Sequence, residues 1–147
     1  MAGLDEKRPF IAVGIAVLTV SDTRTPETDK SGDTLAARIT EAGHRLVERA
    51  IVPDDRDKIA AQVKAWTERG DIDVVITSGG TGFTGRDVTP EALEPLFEKR
   101  MDGFSAVFHR ISYEKILAET IQSRASRGVL HAIFILSLRS CRVSTSI

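Results

Sequence analysis

The chain has 147 residues, 41% of them hydrophobic and 28% charged, and a formal net charge of −1 at pH 7. That length supports one domain with a sizeable core, and near-neutrality offers no long-range field for nucleic acid or an anionic membrane surface. The single cysteine, Cys141, excludes an intrachain disulfide and argues against a cysteine-based metal site.

The start, MAGLDEKRPF, has charges but no apolar stretch of the kind a signal peptide needs. No uninterrupted apolar run approaches the ~20 residues of a membrane span, so no membrane partner and a cytoplasmic location are expected. Residues 1–9 read as a tail. Residues 10–20, FIAVGIAVLTV, are nearly continuous in apolar character and rich in β-branched residues, which predicts a strand covered on both faces, as in a parallel sheet. The run stops at Ser21-Asp22-Thr23-Arg24. Ser31 then reads as the cap of a helix whose Leu35, Ile39 and Ala42 share a face and whose stop is Gly43.

A second cycle follows. Residues 45–52 alternate as a strand that ends in Pro53-Asp54-Asp55, and a helix with Ile59, Val63 and Trp66 on one face runs to Gly70. Residues 73–77 predict a third, buried strand, which completes βαβαβ with right-handed crossovers. Thr89, Pro90 and Glu91 open another helix as N-cap, N1 and N2, over residues 91–98. Beyond Asp102-Gly103, helical patterns cover 104–111 and 113–126 and stop at Arg127-Gly128, and VLHAIFIL (129–136) predicts a fourth strand, central or nearly so. The fold class expected is α/β: three layers around a mostly parallel sheet, in a Rossmann-like or flavodoxin-like arrangement. The domain spans residues 10–136.

Ligands of open parallel sheets bind outside the carboxyl ends of the strands, and those ends are loaded unequally here. The first delivers Ser21, Asp22 and Arg24, the second Asp54 and Asp55, the third the loop TSGGTGFTGRDVTPEAL (77–93). The opposite ends carry simple turn residues. Gly79, Gly80 and Gly82 allow positive φ and close approach of a ligand to the backbone, and successive N–H groups in such a turn can cradle phosphate oxygens. A tight turn without a ligand would need the same glycines. The loop lacks the Gly-Lys-Ser/Thr of a P-loop, and no Gly-x-Gly-x-x-Gly opens after the first strand, so nicotinamide and Walker-type ATP binding are not indicated.

This loop closely resembles the signature of the MoaB/MogA family of molybdenum cofactor biosynthesis proteins, through Gly79, Gly80, Thr81, Gly82, Asp87, Thr89, Pro90 and Glu91. LTVSDTR (18–24), KSGDTL (30–35), VPDD (52–55) and IQSRASRGV (121–129) resemble family segments in the expected order, so the likeness covers roughly residues 11–135. The resemblance implies binding of molybdopterin, adenylylation of it with Mg-ATP, and a homo-oligomer built as a trimer or hexamer. It implies Asp54 and Asp87 as catalytic carboxylates, with Asp87 a Mg²⁺ ligand, because two polyanions must meet and hard Mg²⁺ with oxygen ligands neutralises their phosphates. Ser21, Asp22, Ser78, Gly79, Gly80, Thr81, Gly82 and Thr89 make up the implied ligand-binding set. A non-catalytic pterin-binding or scaffold subunit of the same pathway is the alternative.

Each role has a plainer counterpart. Asp54 could cap the second helix; Asp87 and Asp22 could be turn aspartates bonded to their own backbone; Arg24 and Arg86 are anion partners or solvated loop arginines. Trp66 reads as core. Phe97, Phe104 and Phe108 serve either an interface between copies or the intrachain core. The three histidines lack ligand spacing, Ser78 and Ser123 have no base partner, and there is no basic stripe or aromatic platform for nucleic acid. Family members continue after the fourth strand with a Pro-Gly-rich loop and a helix. SLRSCRVSTSI (137–147) has neither Pro nor Gly, and no acidic residue follows Glu119, which suggests a truncated or frame-shifted end, or a short basic tail. Poor order is expected there.

Overall fold

The computed structural model describes residue 7 and residues 9–81, 85–103, 106, 126–131 and 133–138. These build one six-stranded sheet in the order β2-β1-β3-β6-β5-β4. Its strands are β1 (Gly14–Val20), β2 (Arg45–Val52), β3 (Val74–Ser78), β4 (Lys99–Arg100), β5 (Ser126–Leu130) and β6 (Ile133–Leu138). β1 pairs in parallel with β2 and β3, and β3 with β6, while β6–β5 and β5–β4 are antiparallel. The expected α/β fold is present, its sheet parallel across β2-β1-β3-β6 and antiparallel at β5 and β4.

All seven residues of β1 are buried because strands flank it and helices cover both of its faces. Ala16, Leu18 and Val20 meet Ile59, Val63 and Trp66 of α2 (Arg56–Thr67) and Ala92 and Leu93 of α3 (Thr89–Leu93). Ile15 and Val17 face Leu35 and Ile39 of α1 (Lys30–Glu41). Each fully buried aliphatic side chain contributes roughly 1.5–3 kcal/mol, which makes β1 the energetic centre of the fold. The chain runs from β1 outward to β2 and then back across β1 to β3. Right-handed crossovers in those opposite directions put α1 and α2 on opposite faces, as observed.

The helix caps differ from the expected ones. Asp29, not Ser31, caps α1 by accepting from the Gly32 N–H at 3.0 Å. Asp55 caps α2 through the N–H groups of Asp57 and Lys58, so Asp54 is not the cap. Thr89 is the first residue of α3 rather than its cap, and α3 tightens after Leu93 into a 3₁₀ turn over Glu94–Leu96. Gly43 has φ +85 and ends α1 as predicted.

The C-terminal half corrects the sequence reading at two points. VLHAIFIL is not one strand: β5 ends at Leu130, His131 turns with φ 51, and β6 begins at Ile133. A histidine can occupy this left-handed region, and apolar residues on both sides concealed the turn. β6 itself lies between β3 and β5, an interior position. Arg127-Gly128 is not a helix stop but part of β5, where a side chain on Gly128 would run into the Phe97 ring. A strand glycine often marks such close approach, and it places Phe97 against the core. Phe104, Phe108, the segment 107–125 and residues 139–147 lie outside the described residues.

Candidate functional site

The order β2-β1-β3 makes the carboxyl ends of β1 and β3 a topological switch point. The loop after β1 leaves toward the α1 face and the loop after β3 toward the opposite face, which opens a crevice between them. Register aligns these ends: Thr19 lies beside Ser78, and Val20 beside Val52. Ser21 donates its N–H to the Val52 carbonyl at 2.9 Å. Its hydroxyl accepts from the N–H groups of Thr23 and Arg24, so that oxygen shapes the loop.

Asp22 does not form a turn with its own backbone. Its Oδ1 accepts the Asp54 N–H at 3.1 Å, and its Oδ2 accepts from Arg86 Nε at 2.8 Å and also from Arg86 Nη2. The hydrogen bond from Arg86 holds the Asp22 carboxyl below the usual carboxylate range. Asp54 is perturbed in the opposite sense. Burial, followed by the charges of Asp22 and Asp87, pushes it up to about 6, against the opposing pull of Arg86. Asp54 Oδ1 is sealed from solvent and no hydrogen bond reaches it; among the described residues, Thr77 Oγ1 is the other buried side-chain atom in that state. A polar atom left so costs free energy unless something else occupies its direction.

The diglycine turn faces that oxygen. Gly79 has φ +101 and Gly80 has φ +65. A side chain on Gly80 would collide with Thr89 Oγ1 and stand 3.1 Å from Asp54 Oδ1. Thr89 fixes the turn from below, its hydroxyl donating to the Gly79 carbonyl and its N–H to the Gly80 carbonyl, each at 3.0 Å. Ser78, Thr81 and Thr89 are all buried. Ser21, Asp22, Asp54, Ser78, Gly79, Gly80, Thr81 and Thr89 therefore converge on one edge, with Asp87 near enough for its charge to act on Asp54. Gly82 lies outside the described residues. No three His, Cys, Asp or Glu side chains among the described residues converge closely enough to hold a metal ion by themselves.

Sequence reasoning missed Asp29. It is 1% exposed and accepts from Thr19 Oγ1 at 2.7 Å. It pairs with Arg49 at 3.4 Å and Arg24 at 3.6 Å. Arg24 is thus tethered rather than simply solvated. The available signal was an aspartate three residues ahead of Gly32, which suits an N-cap. Among the described residues, no helix is long and apolar enough to cross a membrane.

Residues 16–140 match the family described as "Probable molybdopterin binding domain". The chain belongs to this family. It is 45% identical over 139 residues to Molybdenum cofactor biosynthesis protein B of Escherichia coli K12, an alignment that covers 92% of this chain and 82% of that one. A crystal structure of Molybdenum cofactor biosynthesis protein B superposes with a TM-score of 0.87 at 41% identity, over 91% of this chain and 84% of the other. The tungsten cofactor synthesizing protein MoaB from Pyrococcus furiosus does so with a TM-score of 0.77 at 33% identity, over 88% and 83%. The diglycine turn at the switch point lies within the matched residues.

Proposed function

We propose that the chain binds molybdopterin at this switch point and adenylylates its terminal phosphate with Mg-ATP. The observation that carries the reading is Asp54. An aspartate whose sealed oxygen has no partner, opposite a diglycine turn and beneath the Asp22–Arg86 pair, is arranged for something other than stability. In the reaction a phosphate oxygen of molybdopterin attacks the α-phosphorus of ATP. The new P–O bond forms as the bond to the β-phosphate breaks, and pyrophosphate leaves. Catalysis of this kind is mostly positioning and charge stabilisation. The diglycine turn would receive the pterin's phosphate, and Asp54 and Asp87 would orient the reacting groups.

Asp54 and Asp87 offer hard oxygen ligands, and Mg²⁺ arriving with ATP would be held by Asp87 together with the outer oxygen of Asp54, where it supplies charge neutralisation. The described side chains do not complete a metal site on their own, which favours, as second reading, a pterin-binding subunit without catalysis. The proposal extends to a cytoplasmic homo-oligomer, a trimer or hexamer. Phe10 and Ile11, 66% and 74% exposed, are apolar surface that an oligomer would cover.

A calorimetric titration with molybdopterin, with and without Mg-ATP, separates the readings. Binding accompanied by pyrophosphate release supports the enzyme; binding alone supports the subunit; no binding in either condition overturns both. In an active chain, Asp87→Ala should abolish turnover while shifting stability by no more than ~0.5 kcal/mol.

A further inference from the structure

Asp22 is the point at which three strand ends meet. It follows β1, accepts the backbone N–H of Asp54 beyond β2, and accepts two donors of Arg86 from the loop beyond β3. The Arg86 side chain is 75% exposed and that of Asp22 is 26% exposed, so the guanidinium lies over the carboxylate on the outer side of the crevice. An ion pair this exposed adds little to stability. A guanidinium with two donors on one carboxylate oxygen is, however, in the state in which it also takes a phosphate, because its donor fork matches both anions. Arg86 sets a positive charge beside the carboxyls of Asp22 and Asp54.

We propose that Arg86 is a phosphate-capturing residue of this site and that Asp22 holds it in place until the phosphate of the ligand displaces the carboxylate. The inference rests on the reading that the switch point takes a phosphate-bearing pterin. It gives Asp22 a positioning role and not a ligand-binding one. The Asp54 N–H keeps Asp22 Oδ1 in place while Oδ2 gives up the guanidinium. Removing the charge of Asp22 should therefore strengthen capture, whereas removing Arg86 should weaken it.

The experiment uses the full chain and two probes, molybdopterin and its dephosphorylated form. Arg86→Gln should lose about 30-fold in affinity for molybdopterin, in line with a charge-assisted hydrogen-bond pair, and should bind the dephosphorylated probe as the unmodified chain does. Arg86→Lys should recover only part of the loss. Asp22→Asn keeps an acceptor for the Asp54 N–H but competes poorly for Arg86, so it should bind molybdopterin a few-fold more tightly. In the Arg86→Gln background the same change should have no effect. Weaker molybdopterin binding by Asp22→Asn overturns the exchange, as does an equal loss for both probes in Arg86→Gln. If the unmodified chain binds neither probe, the pterin reading itself has failed, which is a different outcome.

Discussion

Asp54→Asn should stabilise the protein at pH 8 while removing its function. The Asp54 carboxyl is pushed up to about 6 from an ordinary value of 3.8, with burial the largest cause. Because the folded value exceeds the unfolded one, folding costs nothing extra at this group below about pH 4, where both states are protonated. The cost grows between pH 4 and about pH 6 and is complete above that. At 1.36 kcal/mol per unit, two units would give about 3 kcal/mol. Asp54 is only half-buried, and solvent screening reduces this to about 1 kcal/mol. Asparagine has the same shape and no charge to desolvate. For a chain of this size the gain corresponds to about 2–4 °C in Tm. Urea unfolding at pH 8 and pH 4.5, with equal m-values, measures it. A variant less stable than its parent at pH 8, or a difference that does not shrink toward pH 4.5, would refute this reasoning and make Asp54 a structural residue.

Two further substitutions test the scaffold of the site. Gly79→Ala should cost about 2–3 kcal/mol, because φ +101 is strained for any side chain and the new methyl would collide with the Val20 carbonyl of β1, which cannot retreat. Gly85→Ala, with nothing within 4 Å, should be nearly neutral and serves as control in the same urea measurement. Asp29→Ala should cost about 3 kcal/mol, since it removes the cap of α1, takes this acceptor from Arg24 and the Thr19 hydroxyl, and leaves Arg49 with Asp33 alone. Asp29→Asn should recover the cap but not the ion pairs, and equal losses for the two would contradict the ion-pair contribution.

The N-terminal half was legible because each of its elements carries a local signal. β1 is a continuous apolar run because it is an interior strand, although Phe10 and Ile11 at the start of that run lie outside the strand and are exposed; α2 has its apolar residues at helical spacing, and Gly43 stops α1 with positive φ. The β5–β6 hairpin was not legible: His131 turns without Gly or Pro, and the reason for Gly128 is the Phe97 ring, which belongs to another element. Gly79, Gly80 and Thr81 were read correctly as loop. The contacts among Asp22, Asp54 and Arg86 were beyond sequence reading because they span 32 and 64 residues and exist only once strand order has brought three ends together.

That gathering also explains why Asp54, rather than a neighbour, bears the strain. Four aspartates follow β1 and β2 before the next helices begin. Asp29 is satisfied by the N-terminus of α1 and two arginines, Asp55 by the N-terminus of α2, and Asp22 by Arg86 and a backbone N–H. Each of these charges has donors around it, and the buried Asp29 among them holds the fold together. Asp54 stands among them with one oxygen sealed and unpartnered, and its neighbour Asp22 raises its proton affinity further. A hydrogen bond from a nearby serine or threonine would have removed that cost. The residue set against its sealed oxygen is instead Gly80, with no side chain to offer. An unpartnered buried oxygen costs the free protein some stability, and any ligand bound beside it stabilises this edge by mass action. Ligand binding and the stability of this edge are therefore linked, and a ligand that reaches Asp54 should protect the C-terminal ends of β1 and β3 from hydrogen exchange more than it protects α2.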